Sequence, residues 1–217
     1  MEPRCWLCGL LAALCAGCGG GSPDEPPAAP TPRVIEFYGD SLTFGSIEGP
    51  AGTLTRLAVP PVRRAQEMLG DAALCVDLSL PGATVADALA GVAMMPFGRF
   101  AEHVRTTQAS TLVIRYGGAD AVRGTPLADF ERDLGEMVTL AQAAGKTVLL
   151  VGVIATITGA TDSYDLAVER AADAFGTGFI DVRAVPVTWP DDLADDVHPA
   201  QAWSDRIAAL IAKSLGA

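Results

Sequence analysis

Residues 126–153, PLADFERDLGEMVTLAQAAGKTVLLVGV, change hydrophobic period once along their length. Leu127, Phe130, Leu134, Met137 and Ala141 recur at steps of three or four. That is one face of an amphipathic helix, opened by Pro126 and closed by Gly145. From Thr147 to Val153 the residues are almost all β-branched or leucine. No polar residue alternates with them, so this segment reads as a strand covered on both faces, as in a parallel sheet. A helix that hands its chain through a glycine to such a strand is half of a β-α-β unit.

The same alternation extends in both directions. Val34 to Tyr38 reads as a first strand, ending at Gly39, and Leu74 to Leu80 as a second, stopped by Pro81-Gly82. Between them Arg56 to Leu69 is helix-like, with Pro60 and Pro61 pointing to a late start. Thr111 to Tyr116 reads as a third strand, stopped by Gly117-Gly118. After the fourth strand come a helix over Tyr164–Phe175, a short strand over Gly178–Val182 and a last helix over Pro199–Leu215. Strands alternating with helices predict one α/β domain over 34–217, with a five-stranded parallel sheet between helical layers. Active sites in such sheets lie beyond the carboxyl ends of the strands.

Composition narrows the function. The chain has 217 residues and a net charge of −11, with 15 basic residues against 26 acidic ones. That balance supplies no cationic footprint for nucleic acid. There are two histidines, His103 and His198, and no asparagine. A histidine-based mechanism must therefore use one of those two, and a multi-histidine metal site is nearly excluded. Cys75 lies in the apolar run Ala73 to Leu80 and reads as a small buried hydrophobe, not a nucleophile.

The N-terminus has its own pattern. An apolar run from Trp6 to Ala16 follows Arg4. It is too short for a bilayer-spanning helix, which needs ~20 residues, and has the length of a signal-peptide core. Ala16-Gly17-Cys18 closes it, and Gly/Pro-rich sequence follows to about residue 33. This resembles the lipobox of bacterial lipoproteins, in which the cysteine is lipidated after cleavage. Leu14 lies just upstream, and Cys15 occupies the usual leucine position. The expected organisation is a signal peptide over 1–17, then lipidated Cys18 and a flexible tether over 18–33. It implies a lipid-anchored protein of the bacterial cell envelope, on the periplasmic side of the outer membrane.

Two short segments carry candidate chemistry. Gly39-Asp40-Ser41-Leu42 follows the first strand, placing a serine where a nucleophile would stand. A plain helix cap on Asp40 or Ser41 would explain the same residues. Asp195-Asp196-Val197-His198-Pro199 precedes the last helix. Asp195 and His198 are three apart, so one tight turn can set carboxylate against imidazole, and the imidazole could then deprotonate a serine. Helix punctuation would explain the acids and Pro199 but not the histidine. His103, in Glu102-His103-Val104-Arg105, reads as a solvated histidine on a helix surface.

Taken together, these segments resemble the GDSL, or SGNH, hydrolase family, over roughly Val34 to Ala217. The first block is Gly39-Asp40-Ser41-Leu42. The second is Gly82, the third Gly117-Gly118-Ala119-Asp120, and the last Asp195 to His198. The resemblance implies a flavodoxin-like α/β/α sandwich and a serine esterase or acyl hydrolase needing no cofactor or metal. It implies Ser41 as nucleophile, His198 as general base and Asp195 as its orienter. The backbone N–H groups of Ser41 and Gly82 would form part of an oxyanion hole. The substrate would be a small-molecule or envelope-associated ester.

One position departs from the family pattern. The family's third block is Gly-x-Asn-Asp, and its asparagine donates a side-chain N–H to the oxyanion. Here that position is Ala119, and the chain holds no asparagine to replace it. Loss of one oxyanion donor costs ~10²–10³ in kcat. Low activity, or a non-catalytic binding domain on the same fold, is therefore the alternative reading. Arg115 and Arg123 flank the block, but sequence alone aims neither of them.

Other motifs fail. Gly145-Lys146-Thr147 lacks the first glycine of a phosphate loop, since position 140 is Leu, and it joins a helix to a strand rather than the reverse. Asp191, Asp192, Asp195 and Asp196 lack the ligand spacing of a calcium loop. The absence of a phosphate loop and the 6% aromatic content speak against a nucleotide or flavin binder. The expected walls of a substrate site are Ser46–Thr55 and Val92–Phe100. Met94, Met95, Phe97 and Phe100 in the second read better as core than as an acyl pocket.

Overall fold

The apolar strands predicted from sequence lie side by side at the centre of the molecule. The computed structural model describes residues 31–49, 52–92, 94–154 and 160–217. The segment read as a leader, Cys18 and the segment read as a tether, as far as residue 30, lie outside the described residues.

The first half of the chain forms β1 (Arg33–Gly39), α1 (Ser41–Phe44), β2 (Ser46–Glu48), β3 (Leu54–Arg56), α2 (Pro61–Leu69), β4 (Ala73–Asp77), α3 (Val85–Ala90) and α4 (Phe100–Thr106). The second half forms β5 (Thr111–Arg115), α5 (Gly118–Arg123), α6 (Leu127–Ala143), β6 (Thr147–Val151), α7 (Asp162–Phe175), β7 (Gly178–Ile180) and α8 (Gln201–Ser214).

The main sheet has the order β4-β1-β5-β6-β7, and every pairing in it is parallel. Counting only these strands, the order is 2-1-3-4-5, the flavodoxin-like winding. The chain steps outward from β1 to β4, then crosses back to β5 on the other side of β1. Right-handed crossovers therefore put α2 on one face and α3, α4, α6 and α7 on the other. The packing agrees: α2 lies against α8, while α6 lies against α3, α4 and α7. Ile35, Tyr38, Leu112, Ile114 and Leu150 are almost fully enclosed between the layers.

Local chemistry sets the ends of the elements. α2 begins at Pro61, after Pro60, as the two prolines require. The second strand of the sheet ends at Asp77, earlier than the apolar run to Leu80. Its ladder contacts nevertheless continue, with Leu78 and Leu80 N–H donating to Phe37 and Gly39 carbonyls at 2.9 Å. α3, α5 and the β2–β3 hairpin have no counterpart in the hydrophobic pattern. Each is too short to show a period.

His103 departs from expectation. It stands on α4, as read, but it is not solvated. Its Nε2 lies 3.1 Å from Glu36 Oε2, and its side chain is 22% exposed. The ring packs against Tyr38 and Phe97. Glu36 is buried on β1 and also accepts hydrogen bonds from Tyr38 and Thr107 hydroxyls. A buried carboxylate needs such donors, and His103 is one of them.

Candidate active site

The reversal in strand order opens a crevice at the carboxyl ends of β1 and β5, flanked by β4. All three strands feed residues into it. Gly39 ends β1 in close contact with its surroundings. A Cβ there would come within 2.1 Å of Thr43 Oγ1 and 2.4 Å of the Arg115 carbonyl oxygen. Only glycine lets the chain turn so tightly from strand into α1. Asp40 caps that helix by accepting the Leu42 N–H at 2.9 Å. Ser41 is thereby held at the first position of α1, with its hydroxyl in the crevice.

Asp40 does more than cap. Its other oxygen accepts the Ala119 N–H at 2.9 Å, so one carboxylate ties the Ser41 turn to the start of α5. Burial pushes the Asp40 carboxyl up. The Ala119 and Leu42 N–H groups, Arg115 and His198 pull the other way. Arg115 is itself buried and pushed down to about 10 by burial. Its Nη1 donates to the Leu42 carbonyl at 3.3 Å, while its Nε and Nη2 are enclosed without a hydrogen-bond partner.

Gly82 arrives from β4 through a tight turn. Ala83 N–H donates to the Leu80 carbonyl at 3.0 Å, with Pro81 second in the turn and Gly82 third at φ 75°. This is the type II pattern, which requires glycine at its third position. The turn's own hydrogen bond leaves the Gly82 N–H unused. Ser41, as the first residue of a helix, also has no intrahelical acceptor for its N–H. Among the described residues, neither N–H takes part in a backbone hydrogen bond outside a helix or strand.

The acid and the imidazole come from the loop before α8. Asp195 Oδ1 accepts the N–H groups of Val197 at 2.8 Å and His198 at 2.7 Å, forming the tight turn that the spacing implied. Its Oδ2 accepts the Glu48 N–H of β2 at 2.8 Å, pinning the loop to the hairpin. Burial pushes the Asp195 carboxyl up, but the His198, Val197 and Glu48 N–H groups and the His198 ring outweigh it. The net position is below the ordinary carboxylate range. His198 Nδ1 lies 2.8 Å from Asp195 Oδ2, and its Nε2 lies 3.0 Å from Ser41 Oγ. Asp195, His198 and Ser41 thus stand in line, although 157 positions separate His198 from Ser41 in sequence.

Asp192 pairs with Arg206 at 2.6 Å and accepts the Thr188 N–H. Cys75 is partly buried, and burial pushes its thiol up to about 11, so it stays protonated at neutral pH.

Beside Ser41 is a cavity of about 250 Å³ lined by Leu42, Leu54, Pro81, Gly82, Ala119, Val122, Val197 and His198. Its walls are almost wholly apolar. The hairpin contributes Leu54, as the first expected wall implied. The second expected wall does not reach it: Met95 and Phe100 are buried in the core, Phe97 packs on Tyr38 and Phe100, and Met94 is 85% exposed. Val122 is a lining residue that sequence reasoning missed. It comes into view only once α5 is known to be helical, which puts Ala119 and Val122 on one face.

A buried carboxyl also lies under the site. Asp120 is pushed up to about 7 by burial and by the nearby Asp40 charge. Its Oδ2 lies 3.4 Å from the Val85 N–H.

Several solved structures with a similar fold are esterases. The aryl esterase of M. smegmatis aligns over 84% of this chain and 98% of its own, at 17% identity and a TM-score of 0.69. Est24, a carbohydrate acetylesterase from Sinorhizobium meliloti, aligns over the same shares at 18% identity and a TM-score of 0.67. Axe2, an acetylxylan esterase from Geobacillus stearothermophilus, aligns over 85% of this chain and 94% of its own, at 21% identity and a TM-score of 0.67. These likenesses define the fold as that of the SGNH hydrolases. No curated protein matches the chain in sequence. The sequence profile of the GDSL-like lipase/acylhydrolase family matches residues 37–206, and the chain belongs to that family.

Proposed function

We propose that this protein is a serine esterase that cleaves carboxylic esters through an acyl-enzyme on Ser41. The observation that carries the reading is the Asp195–His198–Ser41 line, with contacts of 2.8 Å and 3.0 Å. Asp195, held ionised, accepts a hydrogen bond from the His198 Nδ1–H, which keeps the proton on Nδ1 and leaves Nε2 free to accept from the Ser41 hydroxyl. Ser41 Oγ then adds to the ester carbonyl as His198 takes its proton. The carbonyl oxygen becomes an oxyanion facing the Ser41 and Gly82 N–H groups. His198 gives the proton to the departing alcohol, and the acyl group remains on Ser41. Water, deprotonated by His198, repeats the addition on the acyl-enzyme and releases the acid.

The apolar cavity supports an uncharged, short acyl or alcohol group beside Ser41. The neighbouring aryl esterase and acetylesterases fit that size range. Hydrolysis of p-nitrophenyl acetate, butyrate and hexanoate by the purified protein, with Ser41→Ala as control, tests the reading. Turnover unchanged by Ser41→Ala would contradict it.

Ala119 favours one alternative, a non-catalytic domain that binds esters without cleaving them. It predicts saturable ester binding with no release of alcohol. The Ala16-Gly17-Cys18 sequence further supports lipid anchoring in the cell envelope. Cys18→Ser should then move the protein from the membrane fraction to the soluble one, and an unchanged distribution would rule the anchor out.

A further inference from the structure

The oxyanion site lacks the side-chain donor that position 119 supplies elsewhere in the family, and another side chain stands near the gap. Arg123 follows Ala119 by four residues on α5, so the two share a face of the helix. Helical side chains lean toward the N-terminus, which sends the Arg123 stem back over the turn that carries Ala119. The guanidinium lies beside Gly82, with Nη2 3.9 Å from where a Cβ on that glycine would stand. Its other edge is anchored, with Nη1 donating to Asp87 Oδ2 at 2.9 Å. Asp87 is fixed in turn by the reciprocal cap it makes with Thr84 at the start of α3. Among the described residues, Nη2 has no hydrogen-bond partner of its own.

Arg115, Gln201 and Gln66 are enclosed or already occupied. Arg115 donates to the Leu42 carbonyl through Nη1, and its unpartnered Nε and Nη2 are enclosed in the protein with no access to the open cavity. Gln201 donates to the Val59 carbonyl and to Asp205. Gln66 donates to the Gly70 and Ala73 carbonyls. Among the described residues named here, Arg123 combines a place one helical turn after Ala119 with an uncommitted N–H beside Gly82.

We infer that Arg123 supplies the oxyanion contact that Ala119 cannot. This rests on the esterase reading of the same site. When substrate covers the crevice, Nη2 donates to the carbonyl oxygen as negative charge develops on it, opposite the Ser41 and Gly82 N–H groups. Guanidinium is charged at every working pH and offers several donors in a fixed fork, so one edge can hold Asp87 while the other serves the oxyanion.

The test is steady-state hydrolysis of p-nitrophenyl butyrate by wild type, Arg123→Ala, Arg123→Lys, Ala119→Asn and the Ala119→Asn/Arg123→Ala double variant, with melting curves for each. Arg123→Ala should lower kcat by ~10²-fold with KM within about twofold. Arg123→Lys should retain part of the rate. Ala119→Asn should recover most of the loss in the Arg123→Ala background, while adding little on its own. Wild-type kcat in Arg123→Ala would overturn the inference while leaving the esterase reading intact. So would a loss that Ala119→Asn does not recover, because it would assign Arg123 to bracing Asp87. Absence of Ser41-dependent turnover in wild type would overturn the esterase reading and the inference together.

Discussion

The Asp40 carboxylate and the Ala119 N–H meet at 2.9 Å inside the protein, and this bond ties the Ser41 turn to the start of α5. Asp40 is fully buried and serves the Leu42 N–H with its other oxygen. Asp40→Ala would leave both donors unpaired. We expect it to cost about 2–4 kcal/mol of unfolding free energy and to lower kcat even where the protein remains folded. Denaturant titration alongside ester kinetics checks both. A folded variant of wild-type stability and rate would show that the bond organises nothing.

Asp195 gives a prediction in two parts. Asp195→Asn removes the negative charge facing the imidazole and should lower kcat by ~10²–10⁴. The carboxyl sits below its ordinary range when folded. Its contribution to stability is therefore present above the unfolded value and lost as pH falls through the folded one. The variant should lose less stability than wild type between neutral pH and pH ~3. Parallel acid-denaturation curves would contradict this.

Asp120 has the opposite sign. Its folded carboxyl is pushed up to about 7, so its contribution to stability is fully present below the unfolded value and is lost as pH rises through the folded one. Asp120→Asn should raise the melting temperature relative to wild type at pH 8 and much less at pH 5. A larger gain at the lower pH would show that the buried carboxyl is not protonated as argued.

Leu54 is 63% exposed at the rim of the apolar cavity, where a substrate group would cover it. Leu54→Asp should lower kcat/KM for the hexanoate ester about tenfold, with a smaller effect on acetate. An equal loss on both esters would place Leu54 outside the specificity surface.

Much of the molecule was legible because its signals are local. The Leu127–Ala141 period and the apolar run after Gly145 report a helix and a doubly covered strand. The Asp195–His198 spacing reports a turn, and the turn is present. What sequence could not supply lies in the elements too short to have a period. α5 is only Gly118–Arg123, and its helical character puts Ala119 and Val122 along the cavity. The hairpin contributes Leu54 through tertiary placement alone. His103 read as solvated because its partner, Glu36, is 67 positions away and becomes its neighbour only through packing.

The central claim is that Ser41, activated by His198, is a working nucleophile despite alanine at position 119. Intact-mass measurement after incubation with a fluorophosphonate tests it most directly. The account predicts a single adduct on Ser41 in wild type, absent from Ser41→Ala and strongly slowed in His198→Ala. A folded wild-type protein that stays unlabelled, or one labelled equally in Ser41→Ala, would contradict it.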